Sequence, residues 1–517
     1  MSEAAANWHV SQASYESWLR EVEAPMRKRM QSIDGPLISI VLTTYNTPQH
    51  WLCQAVDSVC RQRYQNWELC IVDDGSTETA VWGTLVEYRQ RDARIKVKRA
   101  TTNSGIATAG NSAIAMATGD YVAFMDHDDC LPDHALLCVA HELAQHAGAR
   151  LLYTDADHLD INGQRCRPYF KPAWNHELLL GQNYLNHLTV IATPLLQELG
   201  GLRQGYDGSQ DYDLLLRAVE LLQADQIRHI PAVLYHWREV PDSVSRSDLA
   251  SAAAAARRAV QEHLQRIGSP ASVHPARGAL IYNRVDWPLP QPRPSIAVLR
   301  QYEPATAPEQ VRHKTATHDG ITVIECPRPA TLPQLLAQLD ACDLQRCDML
   351  CSVPPGSQPR GSEWLMSLAA IAGRREVGCV GTALDHGGEP GPPPVVSGEL
   401  GCETYWGGGR AYFAAARLDR EVLLLEQQAP LLLRQEHLRA LAAAADASLE
   451  SYPVHMALAL GCQRMGLRNI WTPGILATVP AGAPPDDFAV SAPEVQSDDD
   501  PNYNPNLAFC RQRPETA

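Results

Sequence analysis

Short apolar runs alternate with longer amphipathic segments in the first third of the chain. This pattern predicts five strands, at residues 37–43, 67–73, 95–99, 120–125 and 151–154, and four helices between them, at residues 48–62, 78–92, 106–117 and 133–147. Another amphipathic helix is predicted ahead of them, at residues 8–32. Such alternation is typical of an α/β fold with a doubly wound, mostly parallel sheet. Ligands of these sheets bind beyond the carboxyl ends of the strands.

A proline-rich segment, residues 286–294, carries four prolines and predicts a domain boundary, because such a segment is stiff and cannot join a central strand. Two stretches of the first part have weak echoes in the second. Residues 120–128 are similar to 348–356 at an offset of 228, and residues 230–234 to 472–476 at an offset of 242. We therefore expect two copies of one fold. The predicted units are a helical segment at 1–35, α/β domains at 36–289 and 290–480, and an acidic tail rich in proline and asparagine at 481–517.

Charge and composition exclude several classes of protein. Lys and Arg total 44 against 59 Asp and Glu, and the net charge of −15 disfavours broad nucleic-acid binding. An apolar share of 45% excludes disorder of the whole chain. The 14 scattered cysteines suit a reducing compartment, and we find neither a signal pattern nor a membrane-spanning run. A cytoplasmic protein is expected.

The strongest chemical signal, Asp126-His127-Asp128-Asp129, directly follows the strand predicted at 120–125. Clustered carboxylates repel one another unless a cation neutralises them. Oxygen ligands of this kind suit Mg²⁺ or Mn²⁺, which also bind phosphate oxygens. The alternative is an acidic turn that caps the next helix, near Pro132.

Two other predicted strands end in polar residues that suit a nucleotide. Asp73 and Asp74 close the second strand, where a carboxylate can accept hydrogen bonds from a ribose or a base. Thr43, Tyr45 and Asn46 close the first strand, where they can contact a nucleoside. A helix cap is the alternative for the two aspartates.

Asp211 and His236 are candidates for catalysis and metal binding. Asp211 and Asp213 lie where a helix is predicted to begin, and one carboxylate there can act as a general base that the helix dipole keeps ionised. His236 closes a predicted strand and can be a third metal ligand. The alternatives are a helix cap for Asp211 and a buried structural role for His236.

In their order along the chain, these signals resemble the N-terminal catalytic domain of the inverting family 2 nucleotide-sugar glycosyltransferases, which have the GT-A fold. The matching stretches are ISIVLTTYNTP (38–48), IVDDGSTE (71–78), NSGIATAGNSAIAMATGDYVAFMDHDD (103–129), GSQDYDLLLR (208–217) and HIPAVLYHWR (229–238). The bacterial O-antigen and polysaccharide enzymes, a rhamnosyltransferase-like subgroup, share further features, which are YTDADHLD (153–160), FKPAWNHELLLGQNY (170–184) and DPNYNPNL (500–507).

The resemblance implies a role for each candidate residue. Asp211 would be the catalytic base. Asp126 and Asp128 would form the D-x-D motif and bind the metal together with His236, with Asp126 nearer the ribose. The residues that would bind the rest of the nucleotide are Thr43, Tyr45 and Asn46 for the nucleoside and Asp73 or Asp74 for the uracil or thymine base. Those that would lie on the acceptor side are Asp155, Asp157, Trp174 and the region 183–186.

The function implied is metal-dependent, inverting transfer of a sugar in bacterial surface polysaccharide or O-antigen synthesis. The donor would be a UDP- or dTDP-linked hexose, the cofactor Mg²⁺ or Mn²⁺, and the acceptor a glycan, lipid-linked in many family members. Contact with the inner face of the cytoplasmic membrane stays open. A non-catalytic carbohydrate-binding scaffold is the main alternative. A sugar-nucleotide pyrophosphorylase is disfavoured, because no glycine-rich basic loop follows the first strand.

The second copy departs from the catalytic pattern. At an offset of 228, the D-x-D motif falls on Pro354-Pro355-Gly356. At an offset of 242, Asp211 falls on Pro453 and His236 on Thr478. We therefore expect a degenerate GT-A-like domain without catalytic residues.

Overall fold

The computed structural model describes residues 11–239, 249–276, 279–303, 312–316, 320–342, 344, 346–386, 389–390, 394–396, 402–404, 418–478, 504 and 506. Two large sheets lie on either side of the proline-rich segment. Within the described part of the chain, no helix is both long and apolar enough to cross a membrane. The predicted tail lies outside the described residues, apart from Asn504 and Asn506.

The first sheet has eight strands, which are β1 (Ile38–Thr44), β2 (Trp67–Asp73), β3 (Ile95–Arg99), β4 (Tyr121–Met125), β5 (Leu151–Leu159), β6 (Arg165–Tyr169), β7 (Thr189–Ala192) and β8 (Ile227–Arg238). The helices of this half are α1 (Gln12–Trp18), α2 (Ala24–Arg29), α3 (Gln49–Cys60), α4 (Thr79–Arg91), α5 (Ile106–Ile114), α6 (Ala135–Gln145), α7 (His176–Gly181), α8 (Thr193–Glu198), α9 (Gln210–Val219) and α10 (Leu249–Arg266). A π-helical turn, Leu19–Glu23, joins α1 to α2. A two-stranded antiparallel sheet, β9 (Ser272–Ala276) and β10 (Ala279–Asp286), follows α10.

The strand order of the first sheet, β3-β2-β1-β4-β7-β5-β6, confirms the predicted α/β fold. Neighbours β1, β2, β3 and β4 pair in parallel, and β8 pairs in parallel with β5. Strand β7 lies between β4 and β5 and is antiparallel to both. Strands β1, β2, β4, β5 and β8 therefore end at the same edge of the sheet, where the candidate residues lie.

Helices cover both faces of this sheet. On β1, Ile40 and Leu42 pack into one apolar core and Val41 into the other, as alternation along a strand requires. Two buried aspartates, Asp155 and Asp157, extend β5 beyond the predicted end at residue 154.

The second sheet and its surroundings contain the strands β11 (Ile296–Tyr302), β12 (Arg312–Ala316), β13 (Ile321–Pro327), β14 (Met349–Val353), β15 (Gln358–Pro359), β16 (Val377–His386), β17 (Glu389–Pro390), β18 (Pro394–Val396), β19 (Cys402–Thr404), β20 (Arg420–Val422), β21 (Leu431–Arg434) and β22 (Arg468–Thr478). The helices of this half are α11 (Leu332–Ala341), α12 (Trp364–Ala372), α13 (Gln435–Ala444) and α14 (Val454–Arg464).

The second sheet repeats the pairing of the first. Strand β11 pairs in parallel with β13 and β14, as β1 does with β2 and β4. Strand β21 is antiparallel to β14 and β16, as β7 is to β4 and β5. Strand β22 is parallel to β16, as β8 is to β5. The predicted second α/β copy is thus confirmed, and β14 starts 228 residues after β4.

The segment around residue 505 returns to the first sheet. The Asn504 amide donates to Asp155, with N–O distances of 3.1 and 3.0 Å, and to the Lys171 carbonyl at 2.8 Å. The Asn506 amide donates to Asp155 at 3.2 Å and accepts from Trp18 Nε1 at 3.1 Å. Both asparagines are buried. We call this pair the asparagine latch.

Candidate functional site

The acidic loop after β4 is joined to the end of β8. Cys130 and His236 exchange two backbone hydrogen bonds, with N–O distances of 3.1 and 2.9 Å. Asp129 is fully buried and accepts from the Tyr235 hydroxyl at 2.6 Å and the Arg238 backbone N–H at 2.7 Å. Because these bonds occupy Asp129, its role is to fix the loop. Helix α6 begins only at Ala135 with His134 as its N-cap, so the loop does not cap that helix.

Asp126 and Asp128 keep partly accessible carboxylates, with side chains 49% and 21% exposed. Burial raises the pKa of Asp128; His127 opposes this shift and the charge of Asp126 adds to it. A cation bound between two such carboxylates would relieve their repulsion. Both residues therefore suit the metal-binding role that the sequence predicts.

His236 is held by the buried carboxylate of Asp157. Its Nδ1 lies 2.5 Å from Asp157 Oδ1, while Asp157 Oδ2 accepts from Tyr15 and from Arg165 Nε, each at 2.5 Å. Although burial opposes it, the charges of His236 and Arg165 hold the pKa of Asp157 at about 2. A carboxylate on Nδ1 leaves the Nε2 lone pair for a metal, a common arrangement of metal-binding histidines.

Asp211 is the second residue of α9, and two side-chain amides hold its carboxylate. Asn183 Nδ2 donates to Oδ2 at 3.1 Å, and Asn186 Nδ2 donates to the same oxygen. Burial raises the pKa of Asp211, while the nearby His187 lowers it and Asp126 raises it further. Burial thus opposes the helix-dipole effect expected from the sequence, and a raised pKa suits a base that must accept a proton.

Sequence reasoning missed His187. Its Nε2 lies 3.0 Å from Asn186 Nδ2 and 3.7 Å from Asp126 Oδ2, so the ring lies between the base candidate and the acidic loop. The ring stacks on Tyr235 at 4.8 Å, and burial lowers the pKa of His187 to about 4, which leaves it neutral at pH 7. The sequence did offer one signal for His187, which is its position directly after the predicted acceptor-side region 183–186.

The loops after β1 and β2 are linked through Asn46. Its side-chain oxygen accepts from the Thr77 and Glu78 backbone N–H groups at 2.8 and 3.2 Å. The Tyr45 side chain is 45% exposed and can reach a ligand, and Thr43 is half-buried at the end of β1. Asn46 therefore shapes the predicted nucleoside pocket through its hydrogen bonds to the neighbouring loop.

Asp73 and Asp74 are both buried, at 0% and 4% exposed, and differ in their hydrogen-bond partners. Asp73 is fully buried and bound to Ser76 N at 2.9 Å and Arg99 Nε at 3.1 Å, so it cannot contact a base, and this corrects one of the two expected options. Asp74 accepts from Ser104 N, Ser104 Oγ and Gly105 N at 2.9, 2.7 and 2.9 Å. A carboxylate has about four acceptor positions, so Asp74 keeps one for a ligand.

Comparisons with known proteins show the family to which the chain belongs. Residues 39–187 match the model of glycosyl transferase family 2. WcaA of Escherichia coli (strain K12), a glycosyl transferase assigned to colanic acid biosynthesis, is 33% identical over 215 residues, which cover 38% of this chain and 74% of WcaA. The chain belongs to glycosyl transferase family 2.

Two longer relatives extend the likeness of this family 2 chain. The uncharacterized protein y4gI of Sinorhizobium fredii is 34% identical over 491 residues, 86% of this chain and 53% of y4gI. The O-antigen biosynthesis protein RfbC of Myxococcus xanthus is 40% identical over 256 residues, 49% of this chain and 20% of RfbC. The chain thus spans about half the length of y4gI and a fifth of RfbC.

On the acceptor side of the family 2 site, two expectations need correction. Asp155 is fully buried and accepts from Lys171 N and His229 Nε2, each at 2.8 Å, and from the asparagine latch. Asp157 is equally buried and holds His236. Neither can meet an acceptor. Trp174 is half-buried beside α7, with its ring 6.1 Å from that of His176, and stays a candidate.

Among the described residues, Asp126, Asp128 and His236 do not bring their ligand atoms within 4.8 Å of one another, whereas a group that joins the two halves of the chain does. His176, Glu177 and Glu421 bring ligand atoms within 4.8 Å of one another. Two guanidinium groups neutralise it, because Arg374 and Arg468 lie 2.7 and 3.3 Å from Glu177. We therefore treat this group as an ionic contact between the halves and assign it no metal.

Proposed function

We propose that the chain is an active, metal-dependent, inverting glycosyltransferase. It would transfer a sugar from a UDP- or dTDP-linked donor to a glycan acceptor in surface polysaccharide or O-antigen synthesis. One observation carries the proposal: the carboxylate of Asp211 is held by Asn183 and Asn186, and His187, which lies 3.0 Å from Asn186 Nδ2, is 3.7 Å from Asp126. A base is thereby fixed next to the residues that would bind the donor.

Asp211 takes the proton of the acceptor hydroxyl in this proposal. The hydroxyl oxygen attacks the anomeric carbon, the bond from that carbon to the diphosphate oxygen breaks, and the nucleoside diphosphate leaves. A single displacement inverts the configuration. The two asparagine amides orient the Asp211 carboxylate, and burial keeps its pKa raised, so that it accepts a proton readily.

Asp126, Asp128 and His236 would hold Mg²⁺ or Mn²⁺. The chemistry of the set fits, since it combines two accessible carboxylates with a histidine whose Nδ1 is already taken by Asp157. A divalent cation bound there supplies positive charge that stabilises the departing diphosphate. Tyr45 and Asp74 would contact the nucleoside, and Trp174 the acceptor.

The cellular setting follows from the same proposal. The names of RfbC and WcaA refer to O-antigen and colanic acid biosynthesis, which supports a glycan acceptor. The cysteines of the described residues are free thiols, which supports a cytoplasmic location. A lipid-linked acceptor would bring the enzyme to the inner face of the membrane.

Asp211→Asn tests the base. We expect turnover to fall by about 10²–10⁴-fold, because the amide cannot accept the proton, with donor binding retained. Nucleotide release would measure turnover, and the rise in melting temperature with UDP or dTDP and Mn²⁺ would measure binding. Asp207→Asn is the matched control, an exposed aspartate four residues earlier. Wild-type turnover in Asp211→Asn would refute the assignment.

Asp128→Ala tests the metal site. It should remove the Mn²⁺-dependent part of the stabilisation by nucleotide together with turnover. A wild-type protein that shows neither metal-dependent nucleotide binding nor turnover would favour the scaffold alternative.

A further inference from the structure

The second sheet contains a cavity of about 370 Å³ at the carboxyl ends of its strands. Its polar lining includes Gln301 on β11, Arg328 just after β13 and His455 on α14. This cavity occupies the place that the candidate active site has in the first sheet, because β11, β13 and α14 correspond to β1, β2 and α9.

His455 stands where the first half has its base. It is the second residue of α14, as Asp211 is the second residue of α9, at an offset of 244. The offset of 242 expected from the sequence placed Pro453 there, two residues too early, so the correspondence is corrected. The second sheet thus offers an imidazole at this position.

A directed chain of hydrogen bonds links two lining residues of the cavity, Gln301 and His455, through the buried Ser352. His455 Nδ1 lies 3.1 Å from the Glu426 carbonyl, which only accepts, so Nδ1 donates and Nε2 accepts. The Ser352 hydroxyl, 2.8 Å from Nε2, donates to it and accepts from Gln301 Nε2 at 2.9 Å. Gln301 and His455 are 6% and 3% exposed, and burial lowers the pKa of His455 to about 4. These three side chains are therefore uncharged at neutral pH.

The mouth of the cavity is polar and balanced in charge. Arg328 and Glu303 form an ion pair of 3.4 Å with both side chains partly exposed, and Gln427 adds an amide. Among the lining residues that the structure describes, one is a carboxylate, so the cavity has no acidic pair like Asp126 and Asp128. Guanidinium, carboxylate and amide groups together donate to and accept from hydroxyl groups.

We propose that this cavity binds an uncharged sugar residue of a glycan without a metal. Its volume lies in the range of about 300–1,000 Å³ that small-ligand sites occupy. The glycan would be the acceptor or product of the transferase, and only that identification rests on the proposed function. The degenerate half would then hold the polymer while the first half extends it.

The test uses the full chain in EDTA, with methyl glycosides of glucose, galactose, rhamnose and N-acetylglucosamine as probes in saturation-transfer NMR. We expect saturable binding of at least one glycoside. The double variant Arg328→Ala/Gln427→Ala should weaken it tenfold or more. Arg300→Ala, an exposed arginine on β11 outside the cavity, should leave it unchanged.

Three results would overturn the inference. They are no binding of any probe, binding that survives the double variant, or displacement of the glycoside by UDP in a separate sample with Mg²⁺ in place of EDTA, which would locate the glycoside at the first sheet. The experiment distinguishes a failure of this proposal from a failure of the proposed transferase function. An inactive protein that binds a glycoside in the cavity would contradict only the transferase, and an active enzyme that binds none would contradict only this site.

Discussion

The two sheets share the order of their six central strands and differ in the chemistry at their carboxyl edges. The first sheet has accessible Asp126 and Asp128 after β4 and Asp211 on α9. The second has prolines after β14 and neutral His455 on α14. The cores, by contrast, are built alike, with an apolar cluster on each face of each sheet. The fold needs only the apolar pattern, so the edge residues could diverge without loss of the sheet.

The contact between the halves connects the second half to the segment of the first half that holds Asp211. Asn175, the N-cap of α7, exchanges hydrogen bonds with the Glu421 backbone, with N–O distances of 2.9 and 3.1 Å. Leu418 packs into the first core beside Gly181. Because α7 leads into the asparagines that hold Asp211, the second half supports the segment that positions the base.

Breaking the ionic contact should have the largest effect on stability. Glu177 is 3% exposed; although burial opposes it, the charges of Arg374 and Arg468 hold its pKa well below the usual range. Glu177→Gln leaves both cations without this partner and should cost about 3–5 kcal/mol. Glu376→Gln, which removes a half-exposed partner of the same Arg468, should cost at most about 1 kcal/mol. Urea unfolding measures both, and equal losses would contradict the buried role.

Loss of the two side-chain amides that hold Asp211 should have the second-largest effect, a loss of catalytic rate. In Asn183→Ala/Asn186→Ala the base remains, but its orientation is lost, and a misplacement of about 1 Å can cost about 10²-fold in rate. We expect kcat to fall by that factor while nucleotide binding stays unchanged. Asn162→Ala, at an exposed turn, is the control. Unchanged kcat in the double variant would show that the amides do not position the base.

Acid should act on the second half through His455. Its folded pKa of about 4 lies below the unfolded value of about 6.5, so the unfolded state binds more protons between these values. Stability is therefore lost as the pH falls from 6.5 toward 4, by about 2 kcal/mol at pH 5. His455→Gln should shrink the drop between pH 7 and pH 5 by that amount in urea unfolding. An equal drop in both proteins would contradict the prediction.

Removing one side of the asparagine latch should have the smallest effect. Asn504→Ala deletes hydrogen bonds to Asp155 and to the Lys171 carbonyl, while Asp155 keeps Lys171 N and His229. We expect a loss of about 1.5 kcal/mol in the free energy of unfolding. No change in urea unfolding would mean that the latch is not formed in solution.

Periodicity predicted strands β1 to β4 well, because β1, β2 and β4 carry apolar runs and β3 alternates apolar with polar residues. Strands β2 and β3 begin and end at the predicted residues. Strands β6 and β7 were missed, because β6 carries two arginines and a proline and β7 has only four residues, whose partners are distant in the sequence. The sequence predicted that β5 ends at residue 154, because Asp155 and Asp157 are charged. The residues that pair with these two carboxylates are distant in the sequence, so a local pattern could not show that they are buried.

The candidate site was predictable only in part, for the same reason. The D-x-D motif, Asp211 and His236 follow from local type and position. That Asp157 orients His236, and that Asn183 and Asn186 hold Asp211, depends on contacts 79, 28 and 25 residues apart. These pairings arise from the parallel register of β5 with β8 and the packing of α9, which no local pattern encodes.

The asparagine latch can form only late in synthesis of the chain. Asp155 lies in the interior of the first sheet, yet its amide partners are 349 and 351 residues away. A ribosome adds about 5–20 residues per second, so the two asparagines are synthesised tens of seconds after Asp155. The first sheet can assemble early, but Asp155 gains its last hydrogen-bond partners only after the second sheet has been synthesised, which couples completion of the first half to synthesis of the second.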